Sequence, residues 1–180
     1  MSISRRAFVR DAVLFAAALA VPTTLDASGL LTSFADDADR ARLAAWLRTL
    51  RRDGLASART PMGRAVVRVG ELALGAPYRP NTLEQYLAAP GASPLREPLT
   101  AYLTGFDCVT LVESTLAIAR AAALPRAGWD DFAREIERMR YRGGVRAGYT
   151  SRLHYFSEWI ADSARRGLVR DLGPELGAVE

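Results

Sequence analysis

Gly105-Phe106-Asp107-Cys108-Val109-Thr110-Leu111-Val112-Glu113 contains the only cysteine of the 180-residue chain. Asp107 is a good helix N-cap, and an apolar run follows it to about Ala123, before Pro125. Val109, Val112, Leu116 and Ala119 recur as one helical face, widened by Leu111 and Ile118. Cys108 therefore falls in the first turn of a helix. There, unpaired N–H groups and about half a positive charge favour thiolate over thiol. The same N–H groups suit an oxyanion hole for a tetrahedral intermediate. The only histidine follows in Ser151-Arg152-Leu153-His154-Tyr155. One thiol and one imidazole are the minimum parts of a cysteine-nucleophile hydrolase, in which the histidine takes and returns the proton. A lone cysteine is also common as an inert buried side chain, and a lone histidine as a structural one. The same two counts exclude an intramolecular disulfide, a Cys/His zinc cluster and a paired-cysteine redox motif.

Outward from this helix, residues 36–52 carry Leu43, Trp46, Leu47 and Leu50 at helical spacing and end at Asp53-Gly54. Thr60-Pro61 predicts an N-cap and first helical residue for a helix bearing Val66, Val69 and Leu72, which stops at Gly75. Gly75-Ala76-Pro77-Tyr78 is extended because of its proline. Asn81-Thr82-Leu83-Glu84 resembles a capping box. Residues 89–98, with three prolines, form a loop, and Leu99 to Leu103 reads as a short strand. A further helix over 129–140 packs through Trp129, Phe132, Ile136 and Met139. After the glycine-rich 141–149 stretch, a last helix is expected from His154 to about Arg166, and Leu168-Val169 starts a strand.

The first residues have another character. Ser4-Arg5-Arg6-Ala7-Phe8-Val9-Arg10 precedes an apolar run from Ala12 to Val21, then a short polar stretch. That run is about half the roughly 20 residues needed to span a bilayer. Residues 1–27 therefore read as a signal peptide, and the adjacent arginines resemble a twin-arginine export signal. The alternative is a membrane-surface helix. The expected mature protein is a single domain over 28–180, periplasmic or exported, with no stable membrane anchor once the signal is removed.

All 24 basic residues are arginine, and the formal net charge is +4, or +3 without residues 1–27. So small an excess, scattered among acidic residues, argues against a nucleic-acid partner. About 150 mature residues suit one core.

Taken in order, Gly75-Ala76-Pro77-Tyr78, Asn81-Thr82-Leu83-Glu84, Phe106-Asp107-Cys108 through Glu113, Arg140-Tyr141-Arg142-Gly143-Gly144 and Ser151-Arg152-Leu153-His154-Tyr155-Phe156 resemble the N-acetylmuramoyl-L-alanine amidase-like family. That family is a domain family of unknown function within the NlpC-type superfamily of cell-wall cysteine hydrolases. The resemblance covers about residues 60–172. It implies a papain-like α+β fold, in which a helical side carries the cysteine helix and packs on a small antiparallel sheet. It implies hydrolysis of an amide bond in peptidoglycan, either between N-acetylmuramic acid and L-alanine or within the stem peptide. Cys108 would be the nucleophile and His154 the general base and acid. Tyr78 and Asp107 would line the substrate site, and Arg152 could grip a substrate carboxylate. Simpler readings stand beside these: Tyr78 as packing, Asp107 as a cap only, Arg152 as an exposed arginine. Thr110 and Glu113 are expected to be structural. The implied partner is peptidoglycan or a muropeptide, met by a monomer with no cofactor and no metal.

Two departures from the superfamily pattern matter. Val109-Thr110 stands where Ser-Gly usually follows Asp-Cys. The chain ends at Glu180, where the family is expected to continue with further strands, so the domain is expected to be incomplete at its C-terminus. A third catalytic residue, which orients the histidine, is expected beyond the base. Only Ser157, Glu158, Asp162, Asp171, Glu175 and Glu180 are candidates there. The alternative function is a catalytically disabled peptidoglycan-binding module. A transferase using the same acyl-enzyme is a third reading.

Overall fold

A computed structural model describes residues 36–177, which belong to one compact unit of the chain. The expected signal peptide lies outside the described residues. Among them run five α-helices: α1 Asp37–Arg52, α2 Met62–Leu72, α3 Cys108–Ala122, α4 Trp129–Arg140 and α5 Phe156–Arg165. Among the described residues, no helix is long and apolar enough to cross a membrane.

α3 is the central element and packs against α1, α2 and α4. The predicted α4 matches the structure at both ends, with Trp129, Phe132, Ile136 and Met139 all buried. α1 buries Leu43, Trp46, Leu47 and Leu50 as expected, and also Asp39 on the same stripe. α2 starts one residue late: Pro61 occupies the cap position, and the Thr60 hydroxyl donates to the Gly54 carbonyl at 3.3 Å instead of capping. α5 starts two residues after His154, which leaves the histidine outside the helix.

The buried face of α3 is only partly the expected one. Ile118 and Ala119 are buried as expected, but Val112 is 36% exposed, and Thr110, Glu113, Ser114, Ala117 and Ala121 are buried. The small residues let neighbouring helices approach closely, and Thr110 and Glu113 have polar partners, so the outward face can carry Val112.

The expected papain-like α+β architecture is not what forms. The structure is mostly helical, and no sheet forms among the described residues. β pairing between described residues is limited to two isolated bridges, Tyr78 with Phe106 (parallel) and Tyr141 with Arg152 (antiparallel). The physical reason is visible along residues 99–103, the region read as a strand, and at its flanks. Side chains pair several of the backbone groups there. Asp39 Oδ1 accepts the N–H groups of Leu103 and Thr104 at 2.6 and 2.9 Å. Arg42 donates to the Leu103 carbonyl at 3.1 Å, and Arg146 to the Glu97 carbonyl at 3.0 Å. Arg140 donates to the Thr100 carbonyl. Buried main-chain groups need partners, and here one aspartate and three arginines take the place of a neighbouring strand. Leu168-Val169 likewise forms no strand. Asn81-Thr82-Leu83-Glu84 is a turn with Asn81 at φ 57°, followed by a short 3-10 helix at Gln85–Ala88, and not a capped α-helix.

Candidate functional site

Cys108 is exposed at the first residue of α3. Local chemistry puts it there. The Asp107 carboxylate accepts the Thr110 N–H at 2.7 Å, and the Thr110 hydroxyl accepts the Asp107 N–H at 2.9 Å, a reciprocal capping box. Leu111 N–H bonds the Asp107 carbonyl at 3.1 Å. The Cys108 and Val109 N–H groups have no acceptor among the described residues. These are the two donors that the helix start leaves for an oxyanion.

Tyr78 is held against Phe106, which lies two residues upstream of the thiol. Phe106 N–H donates to the Pro77 carbonyl at 3.1 Å, and Arg79 N–H to the Phe106 carbonyl at 2.9 Å. The Tyr78 ring is left 69% exposed.

A polar cavity of about 170 Å³ opens beside this helix start. Asp107, Val109 and Glu113 from the start of α3 line it together with Arg140, Arg152, Leu153 and His154, and with Asn81, Leu83 and Glu84. The residues before and after Cys108 thus share a cavity with His154, although 46 positions separate cysteine and histidine in the chain. His154 is exposed; its Nε2 lies 2.9 Å from the Tyr149 carbonyl, and its ring sits 4.4 Å from the Tyr149 ring.

Arg152 is not an exposed arginine. Its side chain is 6% exposed and ion-paired with Glu84 at 2.6 Å and with Glu97 at 2.9 Å. Its guanidinium also lies 5.0 Å from the centre of the Tyr149 ring. Glu97 is buried, and burial pushes its carboxyl above the ordinary glutamate range, against the pull of Arg152 and a hydrogen bond donated by Tyr141 at 3.3 Å. Beneath the cavity, Arg140 and Glu113 form a fully buried pair at 2.7 Å. Burial is the largest influence and works to lower the Arg140 value, but Glu113, Tyr141 and Glu97 together outweigh it and the guanidinium is held above its ordinary range. Leu153 N–H donates to the Arg140 carbonyl at 2.9 Å, tying the histidine segment to the end of α4.

Asp39, Glu84, Glu97 and Arg140 were not among the predicted site residues. Asp39 and Arg140 had a signal: each falls on its helix's apolar stripe, four residues from Leu43 and Ile136 respectively. A charge on a buried stripe announces a partner. Glu84 and Glu97 carry no such periodic mark. Among the described residues, no group of three or more His, Cys, Asp or Glu side chains is placed to hold a metal ion.

A thiol at a capped helix start, beside a polar cavity lined by the histidine, defines a candidate thiol-hydrolase centre. The chain belongs to the AmiA-like family, described as N-acetylmuramoyl-L-alanine amidase-like, which matches residues 68–179. Among solved structures, it is similar to an N-acetylmuramoyl-L-alanine amidase from Bacteroides uniformis, with 35% identity and a TM-score of 0.51. That match covers 59% of this chain and 41% of the other. A protein from Legionella pneumophila in family DUF1460 is similar in fold, with 24% identity and a TM-score of 0.57 over 74% of this chain and 39% of that one. The chain thus spans about two fifths of the length of these structures. No curated protein matches it significantly.

Proposed function

We propose that the chain is an exported cysteine hydrolase of the NlpC type that cleaves an amide bond in peptidoglycan. The bond is the one between N-acetylmuramic acid and L-alanine, or one within the stem peptide. Membership of the amidase-like family supports a peptidoglycan hydrolase in general. The observation that carries the cysteine mechanism is the shared cavity: the two neighbours of Cys108 and the only histidine line the same space.

In this reading the Cys108 thiol passes its proton to His154, and the thiolate attacks the amide carbon. The developing oxyanion is met by the Cys108 and Val109 N–H groups. His154 returns the proton to the leaving nitrogen, and water then releases the acyl-enzyme. Asp107 and Arg152 contribute to the cavity wall, and the exposed Tyr78, bridged to Phe106, offers a flat apolar surface near the start of α3. The substrate is reached by export through a twin-arginine signal at residues 1–27.

Digestion of purified muropeptides, read by mass spectrometry beside the Cys108→Ala variant, tests this. Cleavage products that require the cysteine are expected, and their masses name the bond. Products that persist with Cys108→Ala would sink the cysteine mechanism. Binding to sacculi with no bond cut would replace it with a wall-binding module.

A further inference from the structure

We infer that the main-chain carbonyl of Tyr149 is the group that orients His154, in the place where a third catalytic side chain was expected downstream. This rests on the cysteine-hydrolase reading above.

A carbonyl oxygen only accepts, so at 2.9 Å the Nε2 must donate to it. The neutral imidazole then has its lone pair on Nδ1, the nitrogen free to take the thiol proton. When it does, the ring becomes an imidazolium, and the Tyr149 carbonyl dipole faces the new charge through the same hydrogen bond.

The carbonyl is itself held in place. Tyr149 N–H donates to the Pro94 carbonyl at 2.7 Å. Gly148 has φ 81°, and a Cβ there would lie 2.6 Å from the Pro94 carbonyl oxygen and 2.9 Å from that of Leu95. Only glycine fits so close an approach in that backbone region. Arg152, fixed by Glu84 and Glu97, covers the Tyr149 ring.

The downstream carboxylates among the described residues are engaged elsewhere. Glu158 pairs with Arg142, and Asp162 pairs with Arg165 and Arg166. Asp171 accepts from Gly173 N–H, and Glu175 pairs with Arg170.

Because the chain has one histidine, nitrogen-15 labelling of histidine gives a single imidazole spectrum. Long-range proton–nitrogen spectra of the full chain, recorded above the ring's titration, are expected to show Nε2 protonated, with its proton slow enough in exchange to be seen. A ring protonated on Nδ1, or an Nε2 proton lost to exchange with water, overturns the assignment. Gly148→Ala is expected to remove the slow proton and to lower kcat by about a hundredfold with little change in KM, as for a misplaced catalytic group. A Gly148→Ala protein that is folded and keeps the slow proton also overturns it. Ser157→Ala, Glu158→Gln and Asp171→Asn are expected to hold kcat within about twofold, as surface changes do; a loss of a hundredfold in any of them would name a side chain as the orienting group. The imidazole spectrum needs no substrate. If it passes while muropeptides stay intact, the hydrolase reading fails and the orientation stands.

Discussion

The two halves of the candidate site are placed by opposite means. Cys108 is set by residues within three positions of it, through the Asp107–Thr110 capping box. The segment that carries His154 is held by residues far away in sequence: Arg152 reaches Glu84 across 68 positions, and Leu153 hangs on the end of α4, while the ring itself meets the Tyr149 carbonyl five positions back. A nucleophile that needs a helix start can be specified locally, because the cap makes the helix start. A segment outside any helix has no such rule for its place in the fold, and tertiary contacts must bring it to the cysteine helix.

The sharpest test of the pairing is kinetic. Cys108→Ala and His154→Ala should each lower muropeptide cleavage by about 10⁴-fold or more, and the double variant should be no worse than either. Additive losses would break the idea that the two act as one unit. Next in size is Glu113→Ala, which strands the buried Arg140 guanidinium. Denaturant unfolding should show a loss of about 3–5 kcal/mol. Arg140 supports the cysteine helix through Glu113 and the histidine segment through its carbonyl, so both halves should suffer. Asp107→Ala removes only the local cap and should cost about 1 kcal/mol of stability. If it costs as much as Glu113→Ala, the claim of local placement is wrong.

The smallest expected effect is a pH dependence at Glu97. Burial raises its folded value above the ordinary one, so the fold favours the neutral carboxyl. The stability this contributes is full below the ordinary glutamate value and declines as pH rises through the raised folded value. Glu97→Gln removes the titration. The Tm of wild type minus that of the variant should therefore shrink as pH climbs through that window. A difference that grows would mean the charged Glu97–Arg152 pair dominates.

The same division sets what the sequence made legible. α4 and α1 were readable because their apolar stripes are regular, and the start of α3 because Asp107 is a cap. The buried face of α3 was not. Val109, Val112 and Leu116 outrank Thr110 and Glu113 in hydrophobicity, yet Glu113 goes inside because Arg140, 27 positions away, meets it there. The expected sheet failed for a related reason: side chains from α1, α4 and the loop at Arg146 claim several of the backbone groups of residues 97–104. Of the candidate site, Cys108, Asp107, Tyr78, Arg152 and His154 were named from motifs. The acidic partners that fix Arg152 could be known only once the chain was folded.

The span of the Glu84–Arg152 pair has a consequence in time. Contacts between distant positions form late in folding, because the entropy of closing the loop is lost before the contact repays it. A capping box closes over three positions. A refolding chain should therefore expose a reactive thiol at a formed helix start before its histidine arrives, and pulse alkylation during refolding should catch Cys108 in that interval.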